Sequence, residues 1–190
     1  MSEYNGATIL FVPGLRDHVA DHWQTHLAAE IPNSVTVEPL TEQKLSCAAR
    51  VRALDDALHA IEGDVVIAAH SAGALMVAHW AQSPTRKLRG ALLATPADVE
   101  LPLPEGYPRF SDLAANGWLP LPRNTLPFPS ILAASRNDPL AGFGKMTELA
   151  EAWGSELFDA GEVGHLNPPA GFGPWPEARA LLRRLAQRQG

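Results

Sequence analysis

Cysteine, long apolar runs and positive charge are all in short supply in this chain, and each shortage excludes something. One cysteine, Cys47, stands among 190 residues. It permits no internal disulfide and suits a reducing compartment, so the expected location is cytoplasmic. Nothing approaches the ~18 consecutive apolar residues that would span a bilayer, so no membrane association is expected. The first residues, Met1-Ser2-Glu3-Tyr4-Asn5-Gly6, have neither a charged n-region nor an apolar h-region, and no signal peptide is expected. Lysine and arginine total 15 against 21 aspartates and glutamates, a net charge of −6. That balance offers nucleic acid no basic footprint. No glycine-rich phosphate-binding pattern follows any strand, which counts against a nucleotide-binding protein.

What remains is the pattern of a compact α/β protein. Apolar residues make up 46% and charged residues 19%, which argues against disorder, and the length suits one domain over residues 1–190. Short β-branched or apolar runs alternate with helical periodicities. The runs are Ala7–Val12, Ser34–Val37, Asp64–Ala69, Arg89–Ala94, Ser130–Ala134 and Ser155–Phe158. Helices are expected from about Asp21, with Asp21 as cap and Gln24 completing a capping box; over Ser46–Glu62; from Ser71 to about Gln82; over Ala141–Trp153; and over Trp175–Gln189. Such alternation predicts a parallel sheet with helices on both faces. One segment breaks it. Residues 96–129 carry eight prolines (Pro96, Pro102, Pro104, Pro108, Pro120, Pro122, Pro127 and Pro129), a density that sustains neither a long helix nor a central strand. Its aromatic residues include Phe110 and Trp118, which either line a substrate pocket or simply pack the loop.

The stretch Ala69-His70-Ser71-Ala72-Gly73 follows an apolar run and precedes a helical one. It is a nucleophile-elbow pattern with alanine in the first glycine position. The flanking positions must be small because strand and helix crowd together there. Active sites of parallel sheets gather at the carboxyl ends of strands. Ser71, Asp138 and His165 occupy three such ends in the chain order Ser, Asp, His. A serine hydroxyl needs a base, an imidazole near its ordinary pKa can serve, and a carboxylate can hold the imidazole's tautomer. The N–H groups of Leu15 and Ala72 stand where an oxyanion hole would need them. Each residue also has a plainer reading: Ser71 as a helix cap, Asp138 as a turn residue before Pro139, His165 as a solvated loop histidine. Asp98 and Asp159 are rival acids. His18, His22 and His26 share a helical spacing, but no carboxylate set accompanies them, and no metal is assigned. His70 is expected to point away from Ser71 and to serve structure. Cys47 is expected to be a small buried residue.

Five stretches together carry a resemblance: Phe11-Val12-Pro13-Gly14, His22-Trp23, Ala69-His70-Ser71-Ala72-Gly73, Ser135-Arg136-Asn137-Asp138-Pro139 and Gly164-His165-Leu166-Asn167. In register across nearly the whole chain, they resemble the small serine hydrolases of the retinoblastoma-binding-protein-9 and YdeN type, a compact branch of the α/β-hydrolases. The resemblance implies a six-stranded parallel sheet of order 2-1-3-4-5-6 and a Ser71–Asp138–His165 triad. It also implies cleavage of a small ester or amide through an acyl-serine intermediate, with no cofactor. A Leu-x-Cys-x-Glu partner motif associated with the namesake is not complete here, since Leu45-Ser46-Cys47-Ala48-Ala49 lacks the glutamate. No such partner is carried over. The alternative is a hydrolase-fold protein of weak activity that acts as a binding module for protein or ligand.

Overall fold

A computed structural model describes residues 3–188. Met1 and Ser2, from the N-terminal stretch, and Gln189, the expected end of the last helix, lie outside the described residues. Six strands are present: β1 Thr8–Val12, β2 Ser34–Thr36, β3 Val65–His70, β4 Gly90–Ala94, β5 Ser130–Ala134 and β6 Glu156–Asp159. They form one sheet of order β2-β1-β3-β4-β5-β6, and every pairing is parallel. The four central strands are buried along their whole length. That explains why they read as continuous apolar runs rather than alternating ones. The edge strands β2 and β6 are shorter and partly exposed.

The helices are α1 Trp23–Glu30, α2 Cys47–His59, α3 Ala72–Trp80, α4 Phe110–Ala115, α5 Phe143–Trp153 and α6 Pro176–Gln187. Leu10, Val12, Ile67, Ala69 and Leu93 face α2, α3 and α5 in one apolar cluster. Ile9, Phe11, Val66, Ala68 and Leu92 face α1 and α6 in the other. Successive strand residues therefore serve opposite layers, as the pleat requires. The helix α6 turns Ala178, Leu181, Leu182, Leu185 and Ala186 inward, while Arg179, Arg183, Arg184 and Arg188 reach glutamates outside.

The cap of α1 and both ends of α2 differ from expectation, and α3, α5 and α6 are each shorter than expected by one to three residues. Asp21 does not cap α1; His22 does, its Nδ1 accepting from the Gln24 N–H at 3.2 Å. Asp21 instead meets His26 at 2.8 Å in the open. Gln24 is buried, and its amide donates to the carbonyls of Val12 (3.2 Å) and Ala68 (2.9 Å). A side chain that can satisfy two strand-end carbonyls is worth more there than in a capping box. The helix α2 begins one residue after Ser46, whose Oγ accepts from the Ala49 N–H, and it ends at His59 rather than Glu62.

The proline-rich excursion forms only the short α4. It is pinned by hydrogen bonds rather than by regular structure. The Trp118 indole N–H donates to the Leu45 carbonyl at 2.7 Å, the Cys47 N–H to Asn116 at 2.9 Å and the His79 ring to the Trp118 carbonyl at 3.2 Å. These bonds hold the excursion against the α2 and α3 layer, over the carboxyl end of the sheet. Among the described residues, no helix is long and apolar enough to cross a membrane.

Candidate active site

The chain turns from β3 into α3 at a single residue. Ser71 has φ 56° and ψ −123°, a conformation that a side-chain-bearing residue adopts only under constraint. The constraint is visible two residues on. A Cβ on Gly73 would lie 2.2 Å from the Val12 carbonyl oxygen and 2.8 Å from that of Pro13. Only glycine lets β1 and α3 approach so closely. Ala69 is fully buried between Val12 and Leu93 in the sheet register, where a methyl fits.

The Ser71 hydroxyl lies 2.8 Å from His165 Nε2. On the other side of that ring, Nδ1 lies 2.9 Å from Asp138 Oδ2 and 3.0 Å from Oδ1. The side chains of His165 and Asp138 are 5% and 2% exposed, so this contact is shielded from bulk water. Asp138 Oδ1 also accepts from the Leu140 N–H at 2.8 Å. The carboxylate is thereby fixed from both ends.

The rival acids are placed elsewhere. Asp98 is buried, but its Oδ1 accepts from the Glu100 N–H. Asp159 is paired with Arg136 at the surface. Of the three helical histidines, His26 meets Asp21, His22 caps α1 and His18 is exposed. Cys47 is buried, and burial pushes its thiol up to about 11. Trp118 is fully buried and lines the cavity before Ser71. Phe110 is a correction: it starts α4, is 42% exposed and does not belong to the cavity wall. Its neighbour Leu113, one helical turn on, is the α4 residue that faces inward.

Several residues that hold the pair in place lie in the Ser135–Pro139 and Gly164–Asn167 stretches, where the sequence assigns them no role. Asn137 Oδ1 accepts from the Gly164 N–H at 2.7 Å and from the Ser135 hydroxyl at 3.0 Å. Ser135 Oγ accepts from the Val163 N–H, and the Arg136 N–H donates to Gly161. The loops after β5 and β6 are thus stitched together directly beneath Asp138 and His165. Gly164 is at φ 56°, and a Cβ there would come within 2.6 Å of the Ala170 methyl.

His70 does point away from Ser71, as its strand position requires. Its Nε2–H donates to the His165 carbonyl at 2.7 Å, and the Thr95 hydroxyl donates to the same oxygen at 3.3 Å. The ring of His70 lies 5.0 Å from that of His165 and 4.5 Å from that of His22. Burial, followed by the neighbouring His165 and His22, keeps the His70 pKa well below its usual value. Burial, and then His165, lowers that of His22 to about 4. Both rings are neutral near neutral pH. A neutral His70 is a histidine that can donate from Nε2 without adding charge beside His165.

The cavity has a volume of about 540 Å³, within the range of small-molecule sites. Leu75, Val99, Leu113 and Trp118 form its apolar side, and the loop after β1, from Pro13 to Val19, forms the facing side. Gly14 passes close to the elbow; a Cβ there would lie 3.8 Å from the Ala72 nitrogen. The Ala72 N–H, first in α3, has no acceptor within its own helix. The hydroxyl, imidazole and carboxylate form one line of contacts, and a proton can pass from the first to the second.

An elbow serine on a six-stranded parallel sheet, with an imidazole and a carboxylate at two later strand ends, defines the α/β-hydrolase class. The chain belongs to the serine hydrolase family, whose model matches residues 9–184. Among solved structures it is similar to a YdeN-like hydrolase from Pectobacterium atrosepticum, at 30% identity over 97% of this chain and 93% of that one, with a TM-score of 0.82. The ydeN gene product of B. subtilis is 16% identical over 96% of this chain and all of that one, with a TM-score of 0.68. An esterase from Thermogutta terrifontis is also 16% identical, over 96% and 91%, with a TM-score of 0.64. The last two show the fold alone. The resemblance on its YdeN side is carried by these matches. No curated protein matches the sequence.

Proposed function

We propose that the protein cleaves a small ester or amide by way of an acyl-Ser71 intermediate, with His165 as base and Asp138 as its partner. The observation that carries this reading is the unbroken line of contacts from Ser71 Oγ through His165 to Asp138, at 2.8 and 2.9 Å. Ser71 Oγ bonds to the acyl carbon as its proton moves to His165 Nε2. Asp138 accepts from Nδ1–H, fixing the tautomer and stabilising the imidazolium. The oxygen of the tetrahedral intermediate accepts from the N–H groups of Leu15 and Ala72; one such donor contributes about 3 kcal/mol to lowering the barrier. His165 Nε2–H then protonates the departing oxygen or nitrogen. A water oxygen then bonds to the acyl carbon as its proton moves to His165 Nε2; the Oγ–acyl bond breaks as that proton passes to Ser71 Oγ, and the acid leaves. Leu75, Val99, Leu113 and Trp118 give an apolar acyl group a place to sit. The lone buried thiol of Cys47 suits work in a reducing compartment such as the cytoplasm.

A fluorophosphonate probe tests the proposal. It labels the folded protein, and Ser71→Ala abolishes the label together with turnover of p-nitrophenyl esters. Folded wild-type protein that takes no label would overturn the reading. Aminoacyl-amides run beside the esters decide between the two substrate classes.

A further inference from the structure

The two sides of the cavity differ in what they leave unpaired. The apolar side, including Leu75, Val99 and Trp118, is part of the core and has nothing to satisfy. The facing side, from the loop after β1 and the start of α1, has charge and donors to spare. Arg16 is the only arginine or lysine among the lining residues, and among the described residues no carboxylate pairs with it. Its guanidinium carbon lies 5.3 Å from the centre of the Tyr107 ring, so it rests on the excursion from across the mouth. A ring face holds a guanidinium without neutralising it or using up its five N–H donors. Asp17 is the only acidic lining residue, and both of its oxygens are taken by Arg50.

His22 gives a second, independent sign. It lines the cavity and is 6% exposed. Its Nδ1 accepts from Gln24, so the proton of the neutral ring is on Nε2, and that N–H has no acceptor among the described residues. Buried donors in folded proteins are nearly always satisfied; of the three buried polar atoms without a partner among the described residues, on Tyr4, His22 and Trp23, that of His22 alone belongs to a residue lining the cavity that Ser71 also lines, and it points to a ligand that brings acceptors. The protein as a whole carries −6 and repels anions. A lone, propped cation at the cavity mouth reverses that locally.

We propose that the substrate carries an acidic group, a carboxylate or phosphate, and that Arg16 binds it. The proposal rests on the hydrolase reading above. A planar guanidinium takes either anion through two parallel N–H bonds. The anion can belong to the acyl half or to the leaving half of the substrate.

Three esters distinguish these: p-nitrophenyl butyrate, p-nitrophenyl hemiglutarate (acid on the acyl half) and a carboxylated p-nitrophenyl butyrate (acid on the leaving half). The quantity read is kcat/KM for each acidic ester divided by that for the neutral one, in the wild type, Arg16→Gln and Arg16→Lys. For one acidic ester the ratio falls at least about tenfold in Arg16→Gln, mostly through KM, and is partly kept in Arg16→Lys. Added salt lowers the same ratio in the wild type and not in Arg16→Gln. A ratio that Arg16→Gln leaves unchanged for both acidic esters, in protein whose Ser71 still takes the fluorophosphonate, overturns the Arg16 assignment and leaves the hydrolase reading standing. Failure of the wild type to label overturns both.

Discussion

Ser71 is held by what its backbone cannot avoid touching, whereas Asp138 and His165 are held by what their loops hydrogen-bond to. At the elbow, the carbonyls of Val12 and Pro13 close on Gly73, and the serine is left at φ 56°. Two backbone hydrogen bonds, from the Ser71 N–H to Ala94 and from the Ala74 N–H to the Ser71 carbonyl, back that steric contact. Around the acid and base, the work is done by Asn137, Ser135, Thr95 and His70, each through a named donor and acceptor. Packing is all-or-none because interiors do not yield; hydrogen bonding is graded because each bond contributes about 1 kcal/mol net. A candidate site can thus be exact in two different ways within one short line of contacts.

The comparison can be broken at either end. Asp138→Asn should cost the most, about ten-thousandfold in kcat, because an amide stabilises the wrong imidazole tautomer. The fold should be unchanged, and a fluorophosphonate labelling rate that stays at the wild-type value would show that the pair is not used. Gly73→Ala should cost at least about a hundredfold in kcat/KM and about 3 kcal/mol of stability, since backbone carbonyls cannot step aside for the new methyl. Denaturant melts read the second figure; a fully active, fully stable variant would refute steric control of the elbow.

Acid should loosen the base's side and spare the elbow. His22 has a folded pKa of about 4 against an ordinary 6.5. A histidine lowered in this way gives stability that is fully present above 6.5 and is lost as pH falls through about 4. The drop corresponds to about 3 kcal/mol at most. His22→Asn keeps a capping side chain but cannot titrate there, so its stability should fall less steeply over that window in urea melts at a series of pH values. Identical slopes would mean that His22 is not the titrating group. Asn137→Ala should have the smallest effect, about 1 kcal/mol of stability and about tenfold in kcat, because the Gly164 N–H and the Ser135 hydroxyl lose their acceptor while the Val163–Ser135 and Arg136–Gly161 bonds remain.

The same contrast decides what could be read from the sequence. A steric constraint dictates residue type at fixed spacing, so Ala69, Ser71 and Gly73 announce the elbow. The four central strands are legible because burial on both faces demands unbroken apolar runs. The strand-end positions of Asp138 and His165 were legible by chain order, and their mutual contact is a matter of geometry. The stitching was not legible. Serine, threonine and asparagine occur in every loop, and nothing local says that Asn137 will reach Gly164 or that Thr95 will reach the His165 carbonyl. Asp21 was assigned as the cap of α1 because aspartate is favoured there; His22, one residue later, took the role because its ring was already packed against His70. Phe110 is expected either to line a pocket or to pack the loop; at the first position of α4 it is exposed and outside the cavity wall, and Leu113 turns in.

His70 and Ser71 are consecutive in the chain, yet Ser71 presents the proposed nucleophile and His70 grips the backbone of its proposed base. Whatever displaces the elbow therefore tows His165 along with it. Errors in the positions of the two groups are correlated rather than independent, and the Oγ–Nε2 separation is the quantity that this correlation protects. A sheet that breathes can move the Ser71–His165 pair as a unit without changing how far a proton would have to travel between them.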